Sequence, residues 1–297
     1  MQYSLYRLPE NLSPGEAARR FPFLAAPRAE NSHKGTFGTL AVFGGAQGMA
    51  GAVVLAASAA LLAGCGKVWA GFHREALPMP FVAGFPEIMQ ATADTLARRG
   101  DVSARAAGCG LGTAEGASRL LGTLFQTASD TPLLLDADAL NLLAGDAGLA
   151  DAAARYPTLV ITPHPAEAAR LLGTATAQIQ SRRADAVRRL AERFGAVAVL
   201  KGHRTLVCRP GGETYENRSG NAGLATAGSG DVLSGIIGSL LAQGCEPFEA
   251  ACAGVWLHGA AADILAASGM GPAGLLAGEI APAARWLRNM LIDNELK

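Results

Sequence analysis

Five short apolar runs constrain this chain more than any other feature. Residues 39–43, 67–72, 132–135, 158–162 and 196–200 each have the length and flanks of a strand buried on both faces. Helical sequence lies between most of them. Strands that alternate with helices build a mostly parallel sheet covered on both sides, so the expected fold is α/β, three layers in α/β/α order, with four to six strands. Such sheets take ligands at the carboxyl ends of their strands. The residues just after each run therefore carry the functional information.

The first run turns at Gly44-Gly45-Ala46-Gln47-Gly48 into a small-residue helix over 49–63. That turn lies where nucleotide-type ligands bind, but it is not G-x-G-x-x-G and carries no dinucleotide fingerprint. A second glycine-rich turn, A-A-G-C-G-L-G-T at 106–113, precedes helical spacing over 114–125. Three leucines then run into Asp136 and Asp138, and either acid also reads as the cap of a helix starting near Ala139. The run at 158–162 ends in Pro163-His164-Pro165-Ala166-Glu167. Two prolines hold His164 rigidly at the strand's exit, which favours a ligand role, whereas Glu167 taken alone only complements a helix dipole. The last run ends in Lys201-Gly202-His203-Arg204-Thr205, a set that can meet a nucleotide phosphate and its ribose, although Lys-Gly is also a common turn.

The richest stretch is 217–244, where a glycine-rich loop passes straight into an apolar helix. Gly228-Ser229-Gly230-Asp231 stands at the junction. Backbone N–H groups of the loop and of the first helical turn converge there, a geometry that suits phosphate, though an acid at a helix start also serves as a plain cap.

The chain of 297 residues is half hydrophobic, enough for a sizeable core. Its 25 basic and 25 acidic residues cancel without long runs of either sign, so nothing draws a nucleic-acid backbone or an anionic membrane. A small-molecule ligand fits better. Five cysteines, odd in number and without a C-x-x-C pair, read as buried thiols in a reducing cytoplasm. The first residues lack the basic-then-apolar order of a secretory signal. The charge-free span 35–66 is the one segment resembling a membrane helix, and Gly44, Gly45 and Gly48 divide it.

Residues 1–32 form an arm, with a short helix over 14–20, that packs on the domain or on a partner subunit. No linker interrupts 33–297, which reads as one domain. Within it, 73–99 resists assignment, 178–194 is a solvated amphipathic helix, 206–215 is a hairpin, 246–267 is an alanine-rich helix and 273–291 supplies the closing helices. His258 inside the alanine-rich helix reads as a packing histidine.

Taken together, H-K-G-T-F-G at 33–38, G-x-x-G-M-A-G-A at 45–52, D-A-D-A-L-N at 136–141, T-P-H-P-x-E at 162–167, K-G-x-x-T at 201–205 and the 217–244 stretch occur in the order found in the nucleotide-dependent NAD(P)H-hydrate dehydratases, which the chain resembles over 32–291. That family belongs to the ribokinase-like superfamily. Its members repair NADH or NADPH hydrated at the 5,6 double bond of the nicotinamide ring. They phosphorylate the ring hydroxyl from ADP or ATP, and phosphate then leaves with electron donation from the ring nitrogen. The resemblance implies Mg²⁺, with Glu167 meeting it through water, and a cytoplasmic homotetramer. It places Lys201, Gly202, His203, Arg204, Thr205 and Gly230 on the AMP portion of the nucleotide, and Ala52, Gly112, His164 and Asp231 on the hydrated dinucleotide. Asp231 would be the catalytic base, and the N–H groups of Ala227, Gly228, Ser229 and Gly230 a phosphate cradle.

Departures from the family pattern are small: Ala166 replaces a usual Gly, Ala222 a common Pro, and Ala227-Gly228-Ser229 a common Gly-Gly-Thr. The epimerase domain often fused in the family has no counterpart in the 297 residues, which leaves room for a separate epimerase partner. Two alternatives share the phosphate loop: a small-molecule kinase of the same superfamily and a catalytically silent nucleotide-binding protein. The H-K-G-T-F-G and T-P-H-P-x-E motifs argue against the first, and an intact Asp231 against the second. The alanine, glycine and arginine bias suits a GC-rich bacterium and hence ADP.

Overall fold

A computed structural model describes residues 5–127 and 130–295. Among the described residues nine strands form one sheet: β1 Thr39–Gly44, β2 Lys67–Phe72, β3 Met89–Thr92, β4 Ala104–Ala107, β5 Leu133–Leu135, β6 Leu159–Ile161, β7 Val197–Leu200, β8 Leu206–Cys208 and β9 Thr214–Glu216. Their order is β3-β2-β1-β4-β5-β6-β7-β8-β9. The first seven strands run parallel, and β8 and β9 return antiparallel. The count exceeds the expected four to six. β4 is only four residues long and contains Arg105, and β3 and β9 lie at the edges with half-buried or exposed side chains, so none shows the apolar run that marks a buried strand. β3 and the short helix α4 (Ala93–Ala97) occupy the later part of the segment left unassigned from sequence, and 73–88 before them is turns and bends.

The pleat divides the core in two. Leu40 and Val42 of β1 face one side and Ala41 and Phe43 the other, all four fully buried. The first side is covered by α1 (Pro14–Arg20), α2 (Pro22–Ala25), α3 (Ala50–Leu62), α11 (Ser229–Ala242), α12 (Pro247–Ala267) and α13 (Ala277–Glu295). The second is covered by α4, α5 (Glu115–Thr127), α6 (Ala137–Gly145), α7 (Ala147–Ala154), α8 (Pro165–Leu172), α9 (Thr176–Ser181) and α10 (Arg183–Phe194). The fold is a three-layer α/β/α sandwich.

Small residues in α3 serve packing within the chain. Ala56, Ala57, Ala59 and Ala60 are fully buried, and a Cβ on Gly235 of α11 would stand 2.1 Å from the Ala56 carbonyl oxygen. α3 and α11 thus touch backbone to backbone, which fixes where α11 begins. The arm packs on the same layer: Ser13 caps α1, and Ala17, Ala18, Phe21, Leu24 and Ala25 join the core beside α13.

The span 35–66 folds as the strand β1 and the helix α3, as its dividing glycines imply. Three further expectations change. Among the described residues, the helix long and apolar enough to cross a membrane is α12, and 78% of its apolar window is buried in this core. The 178–194 helix divides into α9 and α10 at Arg182, whose φ of −137° and ψ of 49° are not helical. Arg183, at the start of α10, donates to the carbonyls of Leu200 and Lys201 at 3.0 and 3.3 Å, tying α10 to the exit of β7. The closing segment is a single helix, α13.

Candidate active site

The order in which strands are added reverses between β1 and β4, since β2 and β3 extend the sheet one way and β4 to β7 the other. The two glycine turns meet at this switch point. Gly45 and Ala46 donate to the carbonyls of Cys109 and Gly110 at 3.1 and 2.8 Å, and Gly112 donates to Asp138 at 2.8 Å. A crevice at such a point is where open parallel sheets bind ligands.

Beside it stands a buried charge network. Asp136, 1% exposed at the exit of β5, accepts from the Lys201 Nζ at 2.5 Å, from Ser234 Oγ at 2.8 Å and from the Ala137 N–H at 2.9 Å. It is therefore both the cap of α6 and the counter-ion of Lys201. Burial works against the Lys201 ammonium, but the carboxylates of Asp136 and then Glu167, 4.0 Å away, outweigh it and its pKa is raised. Ala137 follows at φ 48°, a left-handed conformation worth about 1–2 kcal/mol of strain, held by the bonds around Asp136.

His164 and Glu167 cap α8 reciprocally. His164 Nδ1 accepts from the N–H groups of Ala166 and Glu167 at 3.1 and 3.2 Å, and Glu167 Oε2 accepts from the His164 N–H at 2.8 Å. With Nδ1 an acceptor, Nε2 carries the hydrogen and points to Glu167 Oε1 at 3.2 Å. Burial, reinforced by Lys201, lowers the His164 pKa. Burial raises that of Glu167 against the pull of Lys201.

Gly228 caps α11 with a φ of 88°, a left-handed conformation that favours glycine, and a Cβ there would press on Leu55 Cδ1 of α3 at 2.4 Å. Ser229 N–H is engaged with the Thr226 carbonyl at 3.3 Å. Among the described residues, the N–H groups of Ala227, Gly228, Gly230 and Asp231 have no backbone acceptor. Of the expected cradle, the Ser229 N–H is engaged within the loop, while those of Ala227, Gly228 and Gly230 are open, as is that of Asp231. The loop before it is tied down by α12. Asn217 Nδ2 and Ser219 Oγ donate to the carbonyls of Val255 and Trp256 at 3.1 and 2.9 Å, while Gly220 N–H and Asn221 Nδ2 donate to Asp263 at 2.7 and 2.9 Å.

Asp231, in the first turn of α11, is pushed up to about 6. Burial is the main cause; a hydrogen bond from the Cys109 thiol opposes it, and the neighbouring Asp136 charge adds to it. The same surroundings push the buried Cys109 thiol well above its ordinary value. Asp231 therefore sits near neutrality between the switch point and the Lys201–Asp136 pair, a poise that suits a base working at physiological pH.

A cavity of about 870 Å³ opens along this edge. It is lined by the expected His164, Lys201, Gly202, His203, Arg204, Thr205, Ser229 and Gly230, and by Asn217, Ala222 and His258, among others. Ala52, Gly112, Glu167, Ala227, Gly228 and Asp231 are not in its wall; Ala52 and Gly112 lie at the switch point, next to Gly110 and Ala46 respectively. The expected residues thus fall into two groups, a cavity group and a switch-point group, with Asp231 at the seam. A smaller cavity of about 360 Å³ between Phe21, Tyr215 and Phe248 shares no lining residue with the first. Sequence reasoning did not single out Cys109 or the clasp from Asp263; a polar residue inside an otherwise apolar helix, as Asp263 is, was the available signal. His258, read as a packing histidine, is buried in α12 and also reaches Ser229.

A parallel sheet with helices on both faces, a charged cluster at its strand exits and a glycine-initiated helix aimed at them define a ribokinase-like protein. A ribokinase-like superfamily protein of Enterococcus faecalis shares the fold at a TM-score of 0.78, with 26% identity over 94% of this chain and 95% of that one. The chain belongs to the NAD(P)H-hydrate dehydratase family, whose model matches residues 40–282. It is 62% identical over 276 residues, 93% of each chain, to the ADP-dependent (S)-NAD(P)H-hydrate dehydratase of Neisseria meningitidis. The ADP/ATP-dependent NAD(P)H-hydrate dehydratase of Bacillus subtilis, co-crystallised with ATP and Mg²⁺, superposes at a TM-score of 0.80, with 29% identity over 95% of this chain and all of that one. The chain spans about half the length of the bifunctional NAD(P)H-hydrate repair enzymes that it also matches.

Proposed function

We propose that this chain catalyses the ADP-dependent dehydration of the S epimer of hydrated NADH and NADPH, yielding NAD(P)H, AMP and phosphate. The observation that carries it is the position of Asp231: a carboxylate poised near pH 6 at the start of α11, between a cavity of nucleotide size and the switch-point crevice. The preference for ADP follows the Neisseria relative.

Hydroxide leaves poorly at neutral pH, so the ring hydroxyl must first become a phosphate ester. Lys201, Gly202, His203, Arg204, Thr205 and Gly230 hold the AMP portion of the nucleotide in the cavity. The hydrated dinucleotide meets Ala52 and Gly112 at the switch point and His164 at the cavity wall, with its ring hydroxyl at Asp231. Asp231 takes the hydroxyl proton as that oxygen bonds to the terminal phosphorus of ADP, and the bond from phosphorus to the bridging oxygen breaks to release AMP. The free N–H groups around Gly228 stabilise charge on the transferred group, and each such donor is worth on the order of a hundredfold in rate. The ring nitrogen's lone pair then expels phosphate from carbon, and loss of a proton from the adjacent carbon completes the double bond.

Mg²⁺ belongs to the same reading. Among the described residues no three His, Cys, Asp or Glu side chains form a metal cage, which suits an ion carried by nucleotide phosphates with most of its water retained. Glu167 would hold it through water, since both carboxylate oxygens already have partners on His164. When bound, the ion neutralises phosphate charge. Residues 33–297 act as one unit with 1–32 as its arm, in a cytoplasmic homotetramer supplied by a separate epimerase. Purified protein given hydrated NADH with ADP and Mg²⁺ should restore reduced-nicotinamide absorbance, faster than with ATP; no recovery with either nucleotide overturns the proposal.

A further inference from the structure

His258 lies on α12, 6% exposed, at the back of the large cavity. Its Nε2 is 3.0 Å from the Ser229 carbonyl oxygen and 3.3 Å from Ser229 Oγ. A carbonyl oxygen can only accept, so at that separation Nε2 must carry the ring hydrogen. A nitrogen that donates cannot also accept. The Ser229 hydroxyl can therefore only receive from His258, and its own hydrogen is left over. Among the described residues Ser229 Oγ has no other hydrogen-bond partner, although serine hydroxyls in helices commonly turn back to a carbonyl of the preceding turn. Ser229 and Gly230 both line the cavity. The spare hydroxyl hydrogen thus joins the unpartnered N–H groups of Gly230 and Asp231 at the same helix start.

We propose that His258 is a positioning residue for phosphoryl transfer: by donating from Nε2 to Ser229 it fixes the first turn of α11 and reserves the Ser229 hydroxyl hydrogen for the phosphoryl group. A phosphoryl group offers acceptors and no donors, so a pocket that presents only donors is matched to it. Nε2 can donate whether or not Nδ1 also carries a hydrogen, so the contact itself is set by the Nε2 hydrogen alone; a neutral ring spares the wall a buried charge. Burial supplies that neutrality by holding the His258 pKa down to about 4. α12 then has a second task beyond its core packing. Its Asp263 anchors the loop at 220–221 and its His258 anchors the helix start at 229, so one rigid helix registers both ends of the phosphate-facing segment.

The inference rests on the dehydratase reading above, and a double-mutant cycle separates the two. Wild-type protein without ADP-dependent dehydratase turnover would overturn that reading itself. With wild-type turnover in hand, His258→Leu should lower kcat about tenfold while the KM for ADP stays within about twofold, since an indirect contact should cost less than the roughly hundredfold of a direct donor. His258→Gln, whose amide can reach as far as Nε2, should recover most of the loss, which a purely structural role does not require. A Ser229→Ala background keeps the carbonyl contact and lacks the hydroxyl, so there His258→Leu should lower kcat by clearly less than in the wild-type background. An unchanged kcat in His258→Leu, a Gln variant no better than Leu, or equal fold losses with and without Ser229 would each overturn the proposal. Should the Leu variant fail to fold, His258→Asn, polar but too short to reach Ser229, runs the same cycle with the same outcomes.

Discussion

Replacing Asp231 by Asn should remove turnover and make the protein more stable. The folded chain raises the Asp231 pKa from 3.8 to about 6, chiefly by burial. A carboxyl held above its unfolded value binds its proton more tightly when folded. Its stabilising contribution is complete below about pH 3.8 and is lost as pH rises through about 6. Well above that, the ionised group costs about 3 kcal/mol, reduced to about 2 kcal/mol by solvent at its partly exposed edge. Asn has nearly the same shape, still accepts from Cys109 and carries no charge to bury. At pH 8, Asp231→Asn should therefore gain about 2–3 kcal/mol in urea unfolding with an unchanged m-value, or roughly 4–6 °C in Tm. The gain should fall to roughly half at pH 5, where the wild-type carboxyl is already protonated in the folded state. A variant no more stable than wild type at pH 8, or a difference that ignores pH, would refute the account of this carboxylate as a buried base maintained against stability.

The same pKa predicts that kcat/KM falls about tenfold per pH unit below about 6; a pH–rate profile flat to pH 5 would exclude Asp231 as the titrating base. Lys201→Met leaves Asp136 buried with only Ser234 and the Ala137 N–H, and should cost about 3–5 kcal/mol by chemical denaturation. Adding Asp136→Asn should restore much of that loss. Gly228→Ala forces a left-handed alanine into Leu55; it should destabilise by about 1–3 kcal/mol, and differential scanning calorimetry together with the turnover assay would register both the lower Tm and the displaced phosphate loop.

Local sequence was informative wherever a structure depends on its own neighbours. β1 and β2 are legible as apolar runs because a strand buried on both faces has no room for polar side chains. The exits at Gly44, Asp136, His164 and Lys201 stand out because prolines, glycines and charges interrupt those runs. β3 escapes the same test because an edge strand has no such constraint, whereas β8 and β9 are legible as a hairpin from the turn between them. The break at Arg182 escapes it as well, since the amphipathic spacing continues through it while Arg183 binds the exit of β7.

Functional contacts divide along the same line. Asp136 and Lys201 are 65 positions apart and meet only because β5, β6 and β7 lie side by side with their carboxyl ends aligned. Cys109 reaches Asp231, and His258 reaches Ser229, across the layer that joins α11 to the sheet and to α12. Sequence by itself determined the α/β class, the strand exits and the glycine-rich start of α11, because periodicity, turn chemistry and helix capping act over a few residues. Only the tertiary structure decided which exits are neighbours, which N–H groups remain free and how far burial moves Asp231, because strand order and the field around a carboxyl are set by groups far away along the chain.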